Sequence, residues 1–86
     1  MEYFFLKSAV KEVRKLPREI QKKLFDELDY LSQFSHPLQY REVLKLKGNY
    51  DLPTYRLRVG RNYRAIFRVI NQNIVISRVF HRQEGY

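Results

Sequence analysis

The sequence contains no cysteine, which removes disulfides, thiolate nucleophiles and cysteine-ligated metal from the chemistry available to it. Its two histidines, His36 and His81, lie far apart and lack the companions of a zinc site, so neither a metal nor any other cofactor is expected. The apolar run Tyr3-Phe4-Phe5-Leu6 is too short for a signal segment or a membrane span. A cytoplasmic protein with no membrane partner is therefore expected. There is no glycine-rich phosphate loop, no pair of neighbouring carboxylates with catalytic spacing and no Ser-His-Asp arrangement. Repeats, low-complexity tracts and linkers are absent too, and 86 residues suffice for one domain with one modest core.

The most telling scarcity is negative charge in the second half of the chain. Between Asp51 and Glu84 there is no carboxylate, while Arg56, Arg58, Arg61, Arg64, Arg68, Arg78 and Arg82 all fall there. Residues 1–39 hold seven Lys/Arg against six Asp/Glu, net +1; residues 40–86 hold ten against three, net +7. Solubility alone does not require charge to be segregated in this way. A surface so basic is suited to polyphosphate or to an acidic protein segment.

The apolar pattern places that charge on a sheet. Residues 3–6 read as a short first strand. Ser8 is a plausible N-cap for a helix through about Leu16, and Pro17 fits the first turn of a second helix reaching about Phe34. Ile20, Leu24, Leu28 and Leu31, with Phe25 alongside, form an apolar stripe at helical spacing. Glu19, Gln21, Lys22, Asp26 and Asp29 take the opposite face. Ser35-His36-Pro37 ends the helical region, with His36 a solvated loop residue. Residues 42–47 read as a strand, followed by strands at Tyr55–Val59, Tyr63–Ile70 and Ile74–Phe80, separated by turns at Gly60-Arg61-Asn62 and Asn71-Gln72-Asn73. The expected fold is α+β: two N-terminal helices packed on one face of a mainly antiparallel sheet of four or five strands, one domain over residues 1–86.

Strand alternation then sorts the side chains. Tyr55, Leu57 and Val59 share one face, as do Ala65, Phe67 and Val69, so Arg56, Arg58, Arg64 and Arg68 converge on the face without helices. In the last strand Ile74, Ile76 and Phe80 compete with Val75 and Val79 for the core side, and the face of Arg78 stays open. Guanidinium groups, a late imidazole at His81 and several phenols suit metal-free RNA cleavage, in which a 2′-hydroxyl attacks the neighbouring phosphate. Arginine stays protonated and so supplies charge rather than a base; His81 is a candidate base or acid, and Tyr86 a candidate proton donor or stacking ring.

The order Lys45-Leu46-Lys47-Gly48, Tyr55-Arg56-Leu57-Arg58, Asn62-Tyr63-Arg64-Ala65-Ile66-Phe67-Arg68-Val69 and Val79-Phe80-His81-Arg82-Gln83-Glu84-Gly85-Tyr86 resembles the RelE/ParE toxin superfamily, RelE branch, across essentially the whole chain. The resemblance implies a toxin of a type II toxin–antitoxin pair that cleaves mRNA in the ribosomal A site. It further implies catalytic positions at Arg56, Arg58, Arg64, Arg82 and Tyr86, and ribosomal RNA contacts at Lys45 and Lys47, with Arg68 a further RNA-binding candidate. The implied partners are an acidic, RelB-like antitoxin, the ribosome and mRNA, the toxin alone being a monomer and the antitoxin complex a hetero-oligomer. One departure matters: the best-known RelE proteins carry lysines where this chain has Arg56 and Arg58, which leaves the general base to His81 or to no residue at all. Two other readings stand beside this one, a ParE-like protein that inhibits DNA gyrase by contact and a nucleic-acid-binding module without catalysis.

Overall fold

Alternating apolar residues in the second half of the chain form the centre of a five-stranded sheet. In the computed structural model, which describes residues 1–84, the strands are β1 (Tyr3–Phe5), β2 (Val43–Lys45), β3 (Thr54–Val59), β4 (Tyr63–Ile70) and β5 (Asn73–His81). Their spatial order is β1-β5-β4-β3-β2, antiparallel except for the parallel pairing of β1 with β5. The helices α1 (Lys7–Arg14) and α2 (Arg18–Leu31) follow β1, and short 3₁₀ turns span Pro37–Gln39 and Arg82–Glu84. The α+β expectation is met.

The core lies between the helices and one sheet face. Ala9 of α1 and Leu24, Leu28 and Leu31 of α2 are fully buried against Leu57, Val59, Ala65, Phe67, Ile74, Ile76 and Val79. Each fully buried aliphatic side chain contributes about 1.5–3 kcal/mol of transfer free energy, so this single layer is the principal source of stability. Gln21 departs from its expected place among solvated residues. Its Nε2 donates to the Val13 and Leu16 carbonyls at 2.8 and 3.2 Å, so it satisfies the orphan C-terminal end of α1. Ser8 is not the N-cap: Leu6 occupies that position, and the Ser8 hydroxyl donates to the Ser77 carbonyl at 3.0 Å.

The competing patterns in β5 are resolved by a bulge. Ile66 pairs with Arg78 but the next residue, Phe67, pairs with Ile76, which leaves Ser77 as the extra residue. The pleat changes phase there, so Ile74 and Ile76 on one side of the bulge and Val79 on the other all reach the core. Arg78 and Phe80 are thereby turned to the uncovered face, with the Arg78 guanidinium 4.6 Å from the Phe80 ring centre.

β1 covers only the first part of β5, pairing with residues 74–76. Beyond that point α1 runs beside the strand and its side chains replace a neighbour. A Glu12 carboxylate oxygen accepts the Val79 N–H at 2.9 Å, and the other oxygen pairs with Arg78 at 3.1 Å. The β4–β5 turn places Asn71 and Gln72 both at positive φ, 51° and 65°, the signature of a type I′ hairpin. Gly60 supplies the positive φ, 61°, that starts the β3–β4 connection.

Candidate functional site

The register fixes which cations meet. Arg58 pairs directly with Arg64, and Arg64 in turn with Phe80; Arg56 pairs with Leu44 on one side and Ile66 on the other. Directly opposed residues share a face, so Arg56, Arg58 and Arg64 lie together on the side away from the helices, as their alternation required. The 3₁₀ turn after β5 adds Arg82, whose N–H donates to the Asn62 carbonyl at 2.6 Å and so ties the turn to the β3–β4 connection. At this end of the sheet an open cleft of about 450 Å³ is lined by Arg58, Arg61, Arg64 and Arg82 together with Gly60, Glu27 and Glu42.

Arg64 is the fixed centre of the set. Its Nη1 donates to the Tyr63 and Arg61 carbonyls at 2.8 and 3.1 Å, which holds the guanidinium in place. Burial, and then the charges of Arg56, Arg58 and Arg82, push its pKa below the ordinary arginine value, while Glu42 acts in the opposite direction. It remains a cation, but one whose charge is incompletely compensated. The Nε of Arg56 is buried and has no hydrogen-bond partner among the described residues. An anion seated here would relieve both conditions.

Glu42 was not singled out in the sequence, yet it lines the cleft and stands 3.7 Å from the Arg58 guanidinium. It immediately precedes β2, and its carbonyl accepts the Arg58 N–H at 3.0 Å, so backbone pairing delivers its carboxylate to the arginines. The available signal was its position as the one carboxylate between Asp29 and Asp51. Glu27, also at the cleft, is engaged by the Tyr40 hydroxyl.

Four sequence candidates, His81, Lys45, Lys47 and Arg68, are not brought to this cluster. His81 pairs with Tyr63, on the opposite side of β5 from Phe80, and its ring packs edge-on against Tyr63 with centroids 5.1 Å apart. Its Nδ1 accepts the Gln83 N–H at 3.1 Å, and its own N–H donates to Glu84 at 3.3 Å. His36 does the same for the other 3₁₀ turn, accepting from Leu38 N–H while Gln39 accepts from its N–H. Both imidazoles are turn caps, and the alternation of β5 carries His81 away from the arginines. Lys45 pairs with Tyr55, which places it on the helix side of the edge strand, and Lys47 lies in the exposed loop beyond β2. Arg68 does lie on the uncovered face, opposite Thr54 and Val75, but one strand step beyond the cluster. Tyr86 falls outside the described residues.

No cluster of metal-binding side chains occurs among the described residues, and no described helix is long and apolar enough to cross a membrane. The family model for the ParE toxin of type II toxin–antitoxin systems matches residues 3–86. Among curated proteins no sequence matches. Solved structures do. The RelB–RelE antitoxin–toxin complex of Methanococcus jannaschii aligns with 28% identity over 94% of this chain and 92% of that one, with a TM-score of 0.75. The archaeal RelE–RelB complex of Pyrococcus horikoshii OT3 aligns with 30% identity over 94% and 93%, with a TM-score of 0.74. A small two-helix sheet protein with one cationic face is thus a toxin of the type II toxin–antitoxin class. The chain belongs to the RelE/ParE toxin superfamily, on its RelE-like branch.

Proposed function

We propose that this toxin is a ribosome-dependent endoribonuclease that cleaves mRNA in the A site and is neutralised by an acidic antitoxin. The observation that carries the reading is the convergence of Arg56, Arg58, Arg64 and Arg82 at one end of the uncovered face, with Arg64 held rigidly and incompletely compensated. In the reaction, the 2′-oxygen attacks the adjacent phosphorus and the bond to the 5′-oxygen breaks, leaving a 2′,3′-cyclic phosphate and a 5′-hydroxyl. The arginines bear the charge that accumulates on the phosphorane oxygens, where one preorganised donor contributes about 3–4 kcal/mol. Glu42 takes the 2′-hydroxyl proton: it is the carboxylate placed against the arginines, held by Arg58 and Arg41 at 3.7 and 3.9 Å, whereas Glu27 already accepts the Tyr40 hydroxyl. Tyr86, assigned through the family resemblance, returns a proton to the leaving oxygen. The two archaeal relatives are antitoxin–toxin complexes, and net +7 over residues 40–86 provides the matching attraction for an acidic partner.

The test is to add the protein to a translation extract and map mRNA ends by primer extension, with Arg64→Ala alongside. Codon-positioned ends that appear with the wild type and vanish with the variant support the reading. Unaffected translation with no new ends would sink it. A gyrase supercoiling assay run in parallel decides whether the ParE-like mode of action applies instead.

A further inference from the structure

The bulge at Ser77 has a consequence on the uncovered face, one strand step from the arginine cluster. There Leu46 and Tyr50, from the loop between β2 and β3, join Thr54, Ile66, Arg68, Ser77 and Arg78 of the sheet in lining a half-open pocket of about 200 Å³. We propose that this pocket receives one nucleobase of the bound RNA strand, and so sets which sites the toxin cleaves. The inference rests on the RNA-cleaving reading above and names the specificity element of that site.

Four features carry it. The pocket is continuous with the phosphate site, because Arg56, whose Nε lacks a partner among the described residues, pairs with Ile66 of the pocket wall. Arg68 and Thr54 occupy the next facing pair along the strands, about 7 Å further on, the reach of a single extended nucleotide. The volume admits one planar ring or one side chain, not a helix. Leu46 and Ile66 give apolar walls and Tyr50 an aromatic ring, the combination on which an unstacked base is held. The polar groups are the hydroxyls of Thr54 and Ser77 and the guanidiniums of Arg68 and Arg78, the last of these paired with Glu12. The Arg68 side chain makes no hydrogen bond or ion pair among the described residues and so offers donors. The hydroxyls of Thr54 and Ser77 donate to the Leu52 and Ile66 carbonyls, which leaves each oxygen with the capacity to accept. Finally, the loop is built around the ring. Gly48 sits at φ 141°, a conformation that favours glycine, and a Cβ there would come within 3.1 Å of the Tyr50 ring and push it aside by a few tenths of an ångström.

The experiment uses a short RNA made uncleavable by 2′-deoxy substitution, in parallel series lacking the base at one position at a time. For the wild type, one abasic position should weaken binding by roughly tenfold or more, within the 1–3 kcal/mol range of a base–aromatic contact. For Tyr50→Ala the same abasic position should cost nothing further, while Tyr50→Phe should keep the full dependence. Arg68→Ala should narrow the difference between bases at that position and flatten the distribution of cleavage sites in the translation extract. Equal wild-type affinity for every abasic RNA overturns the pocket, whether or not mRNA is cleaved. So does a cleavage pattern that Tyr50→Ala and Arg68→Ala leave unchanged. Loss of antitoxin affinity in these variants, with RNA binding unaltered, would assign the pocket to a protein side chain and equally overturn it. A wild type that binds with base dependence but never cleaves would defeat the catalytic reading alone.

Discussion

Arg58 and Arg64 face each other directly across β3 and β4, two like charges in adjacent strands on one side of the sheet. Such a pair opposes folding by up to about 1 kcal/mol, and Arg56 and Arg82 add to the repulsion felt at Arg64. The fold tolerates this because the layer behind it, Leu57, Val59, Ala65 and Phe67, is fully buried. In the proposed reaction this arrangement would serve to bind phosphate without reorganisation, at some expense to stability.

Multivalent anions should therefore stabilise the protein specifically. Phosphate or pyrophosphate at fixed ionic strength should raise Tm above its value in chloride, because they bind the folded state only. Arg64→Ala should lose most of that increment. An equal increment in the variant would mean that the anions act elsewhere on the surface.

For cleavage, Arg64→Ala should reduce the rate by about a hundredfold or more while the protein stays folded. Arg56→Ala and Arg58→Ala should each be milder, and their combination non-additive, since they share one cluster. Glu42→Gln should cost about 10²–10⁴-fold, the range for loss of a general base. His81→Ala should leave the rate close to wild type and instead lower stability by about 0.5–1 kcal/mol through loss of a turn cap. Single-turnover rates and denaturant titrations separate the two outcomes. A large rate loss in His81→Ala with Glu42→Gln fully active would reverse the assignment of the base.

The sequence made the central strands legible because their alternation is strict. Tyr55, Leu57 and Val59 against Arg56 and Arg58 leaves one arrangement that buries the apolar set, and the observed faces of β3 and β4 match it. The last strand was not legible, because the extra residue at Ser77 shifts the pleat midway and both apolar sets are satisfied in turn. The place of His81 depended on that same phase. Glu42 was missed for a different reason: a lone carboxylate before a three-residue strand has no periodicity to mark it. The cleft is assembled by long-range pairing that local pattern does not encode.

Glu12 performs the work of a missing strand at the edge of β5, and its removal should show this. Glu12→Ala leaves the Val79 N–H and the Arg78 guanidinium without their partner. A loss of about 1–3 kcal/mol in urea unfolding is expected, the cost of an unsatisfied and partly buried donor. Glu12→Gln, which can still accept from Val79, should recover part of it. A loss below about 0.5 kcal/mol in Glu12→Ala would mean that water replaces the carboxylate freely.

Two phenols define the alkaline limit. The Tyr3 hydroxyl donates to Asp29 at 2.6 Å, and that bond, followed by burial and the Asp29 charge, raises its pKa to about 12. Burial and then the bond to Glu27 push Tyr40 upward as well. A protonated group whose folded pKa lies above its unfolded value contributes stability that is complete below the unfolded pKa, about 10. The contribution fades as pH rises from there through the folded value. Tm should thus fall between pH 10 and about 12, and the double variant Tyr3→Phe, Tyr40→Phe should be less stable at neutral pH but decline less steeply. Identical slopes would exclude these two phenols as the cause.

The β4–β5 hairpin offers a stabilising change far from the site. Its turn residues Asn71 and Gln72 both adopt positive φ, a region that asparagine enters readily and glutamine does not. Asn-Gly is the favoured pair for this turn, since glycine has no Cβ to clash. Gln72→Gly should therefore raise stability by about 0.5–1 kcal/mol, the relief of left-handed strain less the extra chain entropy of glycine in the unfolded state. Gln72 is exposed and lies at the opposite end of β4 from Arg64, so cleavage by the variant should match the wild type. Gln72→Val should act in the other direction, because a β-branched side chain tolerates that φ least. Denaturation midpoints in the order Gly above Gln above Val would establish that the turn is strained as described, and the reverse order would show that the hairpin relaxes to another turn type.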